Sequence, residues 1–214
     1  MITKVCGMRE PENIRQVEQL RPDWMGFIFY KNSSRFVPIV PSYLPRNVKR
    51  VGVFVDTNKD GILLRTAAFQ LDVIQLHGQE SPSFVHDVRT LLPGKTIVKA
   101  FSIREKADML KTQAYEGSCH YYLFDTKCDT VGGSGTSFDW SLLDHYHGQT
   151  PFLLSGGIGP DSISALKQLK HPLWAGIDLN SKFETAPALK DVEKLKAFLA
   201  EFARSVGEES QNNE

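Results

Sequence analysis

Short runs of apolar residues recur along the whole chain, and each is about as long as one β-strand. There are eight such runs, and as a set they are rich in the β-branched and aromatic residues that strands favour. In chain order they read I-T-K-V-C, W-M-G-F-I-F, V-G-V-F-V, V-I-Q-L, T-I-V-K-A-F, Y-Y-L-F, P-F-L-L and A-G-I-D-L. The pattern therefore predicts eight evenly spaced strands.

Between most of the predicted strands, apolar residues follow the spacing of an amphipathic helix. This spacing predicts helices over residues 11–20, 61–69, 82–91, 163–169 and 189–202. The interval between the second and third strands is the exception, because three prolines between residues 38 and 45 would interrupt a helix.

Eight strands that alternate with helices in a chain of 214 residues predict an α/β protein with a single-domain (β/α)8 TIM barrel. Parallel strands require crossover connections, which the predicted helices supply. An open doubly wound sheet is the alternative. A dinucleotide-binding sheet of that kind carries G-x-G-x-x-G after its first strand, and this motif is missing here. We expect the barrel to occupy residues 1–206, followed by a disordered polar tail, G-E-E-S-Q-N-N-E, over residues 207–214.

The charge composition argues against nucleic acid as a partner, because 25 basic residues balance 25 acidic ones without a basic stripe. No stretch approaches the ~20 apolar residues of a membrane span, and the first residues do not resemble a signal peptide. Cys6, Cys119 and Cys128 lack C-x-x-C spacing, which argues against a disulfide framework and a zinc site. We expect a cytoplasmic protein with a small-molecule partner; monomer and homodimer both stay open.

Polar residues stand at or just after the ends of most predicted strands, where a barrel carries its catalytic loops. They are Cys6, Arg35, Asp56, His77, Asp125, Ser155 and Asp178. We expect these side chains to converge on one rim of the barrel. A lone cysteine is more often a small buried apolar residue, but its place on this rim weakens that interpretation.

The segment L-S-G-G-I-G-P-D-S, after the seventh strand, is typical of a phosphate-binding loop. Gly156, Gly157 and Gly159 allow the backbone to approach a ligand closely, and the following helix offers unpaired N–H groups to an anion. The loop after the eighth strand adds Asn180 and Ser181, and barrels commonly bind phosphate between these two loops. Although glycines also occur in ordinary tight turns, the position predicts a substrate with one phosphate.

Asp125 ends the sixth strand and precedes a glycine-rich loop, T-K-C-D-T-V-G-G-S-G-T, that suggests a mobile cover over the site. Partial desolvation would raise the pKa of this carboxyl, as a general acid requires near neutral pH. The alternative is an aspartate that caps a turn. Arg35, in the loop after the second strand, offers a planar fork suited to a carboxylate; a solvated loop charge is its alternative.

Strand alternation places Lys4 and Cys6 on the same face. If that face is the barrel interior, the ammonium should lower the thiol pKa from ~8.5 toward neutral. Cys6 would then serve either as a base or as a covalent nucleophile with His77 as its own base, and the spacing does not separate these roles.

Several motifs occur together in one order along the chain. They are K-V-C-G, G-F-I-F-Y-x-x-S-S-R, V-G-V-F-V-D, I-Q-L-H-G-Q-E, F-D-T-K with G-G-S-G-T-S-F-D-W, L-S-G-G-I and G-I-D-L-N-S. The ordered set, from residue 2 to about residue 191, closely resembles the phosphoribosylanthranilate isomerase family of tryptophan biosynthesis.

The resemblance implies an isomerase that carries out an Amadori rearrangement with no cofactor and no metal. It implies that Asp125 is the general acid, that Cys6 is the general base, and that Arg35 holds the anthranilate carboxylate. Further substrate contacts come from His77, from Asp178 and, on the phosphate side, from Gly156, Gly157, Asn180 and Ser181.

Two alternatives to this function come from different classes. One is another single-phosphate barrel enzyme such as indoleglycerol-phosphate synthase, and the other is a phosphate-binding barrel without catalysis. The chain also departs from the family pattern in the last loop, where N-S-K-F-E places Lys182 at a position that is often glycine. A nearby segment, A-P-A-L-K-D, lacks the glycine that often follows its proline.

Overall fold

Eight parallel strands close into a barrel in this computed structural model, which describes the backbone of residues 1–125 and 140–211 and the side chains as far as residue 205. Each strand pairs with its neighbours in the sequence. The strands are β1 (Ile2–Val5), β2 (Trp24–Ile28), β3 (Lys49–Phe54), β4 (Val73–Leu76), β5 (Thr96–Ser102), β6 (Tyr121–Asp125), β7 (Phe152–Ser155) and β8 (Trp174–Leu179). The TIM barrel prediction is confirmed.

Pairing between the first and last strands closes the barrel. Ile2 pairs with Gly176 and Val5 with Leu179, in a continuous parallel register. This pairing leaves neither strand as a sheet edge, so the open doubly wound sheet is wrong.

Helices cover the outside of the barrel. They are α1 (Pro11–Gln19), α2 (Lys59–Phe69), α3 (Pro82–Leu91), α4 (Lys106–Leu110), α5 (Ile163–Gln168) and α6 (Val192–Gln211). Shorter 3₁₀ turns occupy Lys111–Tyr115, Trp140–His145, Pro160–Ser162 and Ser181–Phe183. The start of α3 follows the usual capping chemistry, because Ser81 Oγ accepts the Phe84 N–H at 3.2 Å and proline occupies the first turn.

The last helix begins three residues later than the apolar pattern predicts. Leu189–Lys190 forms a short strand, β10, which pairs antiparallel with β9 (Glu184–Ala186). Asp191 Oδ1 then accepts the Lys194 N–H at 3.0 Å and caps α6. The backbone of α6 continues to Gln211, nine residues past the predicted end and into the predicted polar tail; the disorder of residues 207–214 stays a prediction.

The connection between β2 and β3 contains no helix in the described structure, as the prolines predict. Glu18 of α1 holds this connection in place instead. Its carboxylate accepts the backbone N–H groups of Arg46 at 2.6 Å and Asn47 at 2.8 Å, together with the hydroxyl of Tyr43.

The apolar core has two layers, separated by the strands. Mainly aliphatic side chains fill the barrel interior, in a cluster made of Cys6, Trp24, Val51, Val53, Val73, Val98, Ala100, Leu123 and Leu153. Larger side chains, among them Phe27, Phe69 and Phe124, pack between the strands and the helices. Burial on both faces explains why the strands read as nearly continuous apolar runs.

The glycine-rich segment after β6, including Cys128, lies outside the described residues, so the predicted cover stays a prediction. Within the described parts of the chain, no helix is long and apolar enough to cross a membrane.

Candidate active site

A buried ion pair lies in the barrel interior at the ends of β1 and β8. The register pairs Lys4 with Asp178, and Lys4 Nζ donates to Asp178 Oδ2 at 2.9 Å. The Lys4 ammonium also acts electrostatically on the Cys6 thiol. All three side chains are buried, so Lys4 and Cys6 do share the interior face that strand alternation predicts.

The pKa of the Cys6 thiol does not follow the prediction from the sequence. Burial raises the pKa of the Cys6 thiol above its ordinary value, although the Lys4 ammonium acts in the opposite direction. The negative charge of Asp178 also raises the thiol pKa, because it disfavours a second negative charge nearby. The prediction of a thiol pKa near neutral is therefore wrong: desolvation outweighs the single nearby cation.

Desolvation acts on the aspartate of the same pair. Burial raises the pKa of Asp178, and Lys4 only partly opposes this effect. Its second oxygen, Oδ1, is buried and has no hydrogen-bond partner among the described residues. A buried acceptor without a partner is uncommon in folded proteins and marks a position where a ligand can donate.

Two glycines allow close contacts at the thiol and directly beside it. A Cβ at Gly26 would lie 2.7 Å from Cys6 Sγ, so only glycine leaves room for the sulfur on the neighbouring strand. Gly7, directly after the cysteine, has a φ of +77°, and a Cβ there would lie 2.8 Å from both Arg35 Cδ and Asn180 Oδ1. The K-V-C-G motif thus needs its glycine because Arg35 and Asn180 approach the backbone closely.

Asp125 lies at the end of β6 and faces His77 across the mouth of the barrel. Asp125 Oδ2 is 3.3 Å from His77 Nε2, and His77 Nδ1 is 3.0 Å from Gln75 Nε2. The contact with Gln75 orients the imidazole ring so that Nε2 faces the carboxylate. Asp178 interacts electrostatically with both Asp125 and His77, which places all three groups in one region.

The Arg35 guanidinium forms a two-pronged salt bridge with Glu184. Nε lies 2.9 Å from Oε1 and Nη2 lies 2.6 Å from Oε2. Glu184 also accepts a hydrogen bond from Lys190 Nζ at 2.6 Å. Neither Glu184 nor Lys190 was expected as a functional residue; the only signal for them is that each follows the last barrel strand closely in the sequence.

The loop after β7 has the backbone that its glycines predict. Gly156 and Gly157 have φ values of 92° and 68°, a left-handed conformation that favours glycine. A Cβ at Gly157 would meet no atom of the described residues within 4 Å, so the backbone borders open space.

The loop after β8 lies against this glycine loop. Asn180 and Ser181 enter the 3₁₀ turn directly after β8, and the side chain of Lys182 passes 3.2 Å from the position of a Cβ at Gly159. The lysine that replaces the common glycine therefore packs its aliphatic part on the opposite loop, and the turn still forms.

Asp56 has a local role at the rim. Its Oδ1 accepts the Gln79 N–H at 2.6 Å, while Glu80 accepts the Asp56 N–H at 3.0 Å. These bonds join the loops after β3 and β4. Lys99 strengthens the junction, because its Nζ donates to Gly78 O at 2.8 Å and to Glu80 at 2.9 Å.

Comparison with known proteins decides the family. Residues 3–201 match the model of the family described as N-(5'-phosphoribosyl)anthranilate (PRA) isomerase. The chain belongs to this family. The resemblance that its motifs indicate is thereby confirmed.

Relatives of the PRA isomerase family cover nearly the whole chain. The N-(5'-phosphoribosyl)anthranilate isomerase of Phocaeicola vulgatus is 51% identical over 206 residues, which are 96% of this chain and 100% of the relative. That of Parabacteroides distasonis is 49% identical over 205 residues, with 93% and 92% covered.

Solved structures of PRA isomerases share the fold. The enzyme of Thermotoga maritima has a TM-score of 0.79 and 29% identity, covering 95% of this chain and 99% of the other. A phosphoribosyl anthranilate isomerase in complex with reduced 1-(o-carboxyphenylamino)-1-deoxyribulose 5-phosphate has a TM-score of 0.77 and 27% identity, with the same coverage.

Proposed function

We propose that this PRA isomerase converts N-(5'-phosphoribosyl)anthranilate to 1-(2-carboxyphenylamino)-1-deoxyribulose 5-phosphate, in the cytoplasm, with Asp125 as general acid and Cys6 as general base. One observation carries the proposal. A thiol and a carboxyl lie at the same mouth of the barrel, and the buried Asp178, whose Oδ1 lacks a partner among the described residues, interacts with both.

The reaction requires one proton to be given and one to be removed, so an acid and a base suffice. Protonated Asp125 gives its proton to the ribose ring oxygen, and the ring opens to a Schiff base. Cys6, as thiolate, removes the proton from C2', and the resulting enolamine rearranges to the ketone. His77, 3.3 Å from the carboxylate, stands where it can return a proton to Asp125.

The Cys6 thiol must lose its proton before it can act as a base. Since burial raises its pKa, little thiolate exists at neutral pH, but that thiolate is a stronger base. Lys4 favours the charged form and so increases the fraction of active enzyme.

Groups suited to binding a sugar phosphate lie on the loops that follow the barrel strands. The glycine loop and the turn at Asn180 and Ser181 suit the phosphate, because backbone N–H groups bind anions well. Asp178 Oδ1 suits a ribose hydroxyl, which would supply the missing donor. Arg35 suits the anthranilate carboxylate.

The test is direct. Purified protein is incubated with freshly generated phosphoribosylanthranilate, and the loss of substrate fluorescence is followed together with formation of the open-chain product. Conversion to that product supports the proposal. Ring closure to an indole would instead favour the indoleglycerol-phosphate synthase alternative. Binding without conversion would favour a barrel that only binds phosphate ligands.

A further inference from the structure

Glu184 lies between two cations in the loop after β8. Its carboxylate accepts hydrogen bonds from Nε and Nη2 of Arg35 and from Lys190 Nζ, and Oε1 also accepts the Ala188 N–H at 3.1 Å. Desolvation of Glu184 acts to raise its pKa, yet the hydrogen bonds from Arg35 and Lys190 lower it below its ordinary value. The group therefore stays ionised, and the three side chains carry one net positive charge.

Lys190 connects this cluster to the phosphate side of the site. Its side chain is completely buried, and its Nζ donates to Asn180 Oδ1 at 2.8 Å as well as to Glu184. The backbone of Lys190 is also held, because Asn13 of α1 accepts its N–H at 2.7 Å and donates to its carbonyl at 2.9 Å. Helix α1 therefore holds the backbone of the lysine whose ammonium contacts Glu184.

The geometry limits how Arg35 can bind a ligand. The salt bridge occupies Nε and Nη2, which leaves the Nη1 edge for an incoming carboxylate. Arginine side chains have many rotamers, and holding one of them before substrate binds removes much of the ordering entropy from the binding step.

We propose that Glu184 is a positioning residue that presents Arg35 to the substrate carboxylate, and that Lys190 links this arrangement to the phosphate-binding turn at Asn180. The inference rests on the proposed function and deepens it. It differs from a purely structural ion pair, which would stabilise the fold without distinguishing substrates that have the carboxylate from those that lack it.

Glu184→Gln separates the two roles. The amide keeps an oxygen for Lys190 and Ala188 but places an NH2 group where Oε2 accepts from Arg35 Nη2. We expect KM for phosphoribosylanthranilate to rise about 10- to 100-fold, the size of a lost charge-assisted hydrogen bond, with kcat changed less than about threefold. The same kinetics are measured with a substrate analogue that lacks only the anthranilate carboxylate. For this analogue, kcat/KM of the variant should stay within about twofold of wild type. Glu184→Asp, which keeps the charge, should recover part of the KM loss.

Two further variants complete the experiment. Arg35→Met should raise KM for the true substrate at least as much as Glu184→Gln and likewise leave the analogue unaffected. Asp108→Asn is the matched control, since Asp108 of α4 is a similarly buried acid that pairs with Lys111, directly after this helix. It should lower thermal stability without changing KM for either compound.

The outcomes are distinguishable. If kcat/KM of Glu184→Gln falls by the same factor for both compounds, or falls for neither, the positioning role is wrong while the isomerase function stands. If the wild-type protein does not convert phosphoribosylanthranilate, the proposed function is wrong, and the inference falls with it.

Discussion

Lys4 and Asp178 form an ion pair inside the barrel, with Nζ 2.9 Å from Oδ2 and both side chains almost entirely buried. The pair occupies neighbouring positions on β1 and β8, the two strands that close the barrel. Lys4 therefore has two roles. It compensates the charge of a buried carboxylate, and it is the cation that acts most strongly on the thiol.

The first prediction concerns the pH dependence of catalysis. Because burial raises the thiol pKa and the thiolate is the active form, kcat/KM should increase with pH to values above the ordinary thiol pKa of ~8.5. Lys4→Met removes the opposing cation, so the rising limb should move to still higher pH. A pH profile of kcat/KM for both proteins measures this shift.

The same variant leaves Asp178 buried without its cation, which should lower the free energy of unfolding by about 3–5 kcal/mol. Adding Asp178→Asn removes the stranded charge and should restore part of this stability without restoring the pH profile. If the rising limb of the pH profile of kcat/KM does not move in Lys4→Met, the lysine does not act on the thiol.

Cys6→Ser tests the base directly. A serine hydroxyl is far less acidic than a thiol, even one whose pKa burial raises, so abstraction of the C2' proton should be severely slowed while binding is retained. A primary isotope effect with substrate deuterated at C2' indicates a base when that step limits the rate. An adduct mass on the Cys6 peptide, after quenching during turnover, would indicate a nucleophile instead. Turnover at the wild-type rate would exclude both roles.

Asp125→Asn tests the general acid. The amide keeps the size of the side chain and the contact with His77 but has no proton to give to the ring oxygen. We expect kcat to fall by ~10²–10⁴-fold with KM nearly unchanged. Steady-state kinetics measure this, with circular dichroism to verify folding; a folded variant with near-normal kcat would show that another group supplies the proton.

Gly26→Ala tests how closely the thiol must be placed. A Cβ at this position would lie 2.7 Å from Cys6 Sγ, so the sulfur must move. Misplacing a reacting group by about 1 Å can lower the rate about 10²-fold, and overpacking should lower stability by about 1–3 kcal/mol. The double variant Gly26→Ala with Cys6→Ala should regain stability in thermal unfolding but not activity. An active single variant would show that the position of the thiol is not restricted.

Local chemistry in the sequence determined most of the secondary structure and the group of residues expected at one rim. The helix over Pro82–Leu91 follows from Ser81, Pro82 and its apolar spacing, all of which act within a few residues. Eight such units predict a barrel, and a barrel brings strand ends together, so Cys6, His77, Asp125 and Asp178 could be assigned to one rim before any coordinates were known. These inferences need only short-range patterns and a rule of topology.

Only the tertiary structure decided the electrostatics of the rim and the partners of its charges. The rise in the Cys6 pKa is a sum over side chains from several strands, and no single neighbour in the sequence predicts it. The contacts of Arg35 with Glu184 and of Lys190 with Asn13 span 149 and 177 residues. Desolvation and long-range pairing depend on which segments the closed barrel brings together, and residue spacing along the chain does not contain that information.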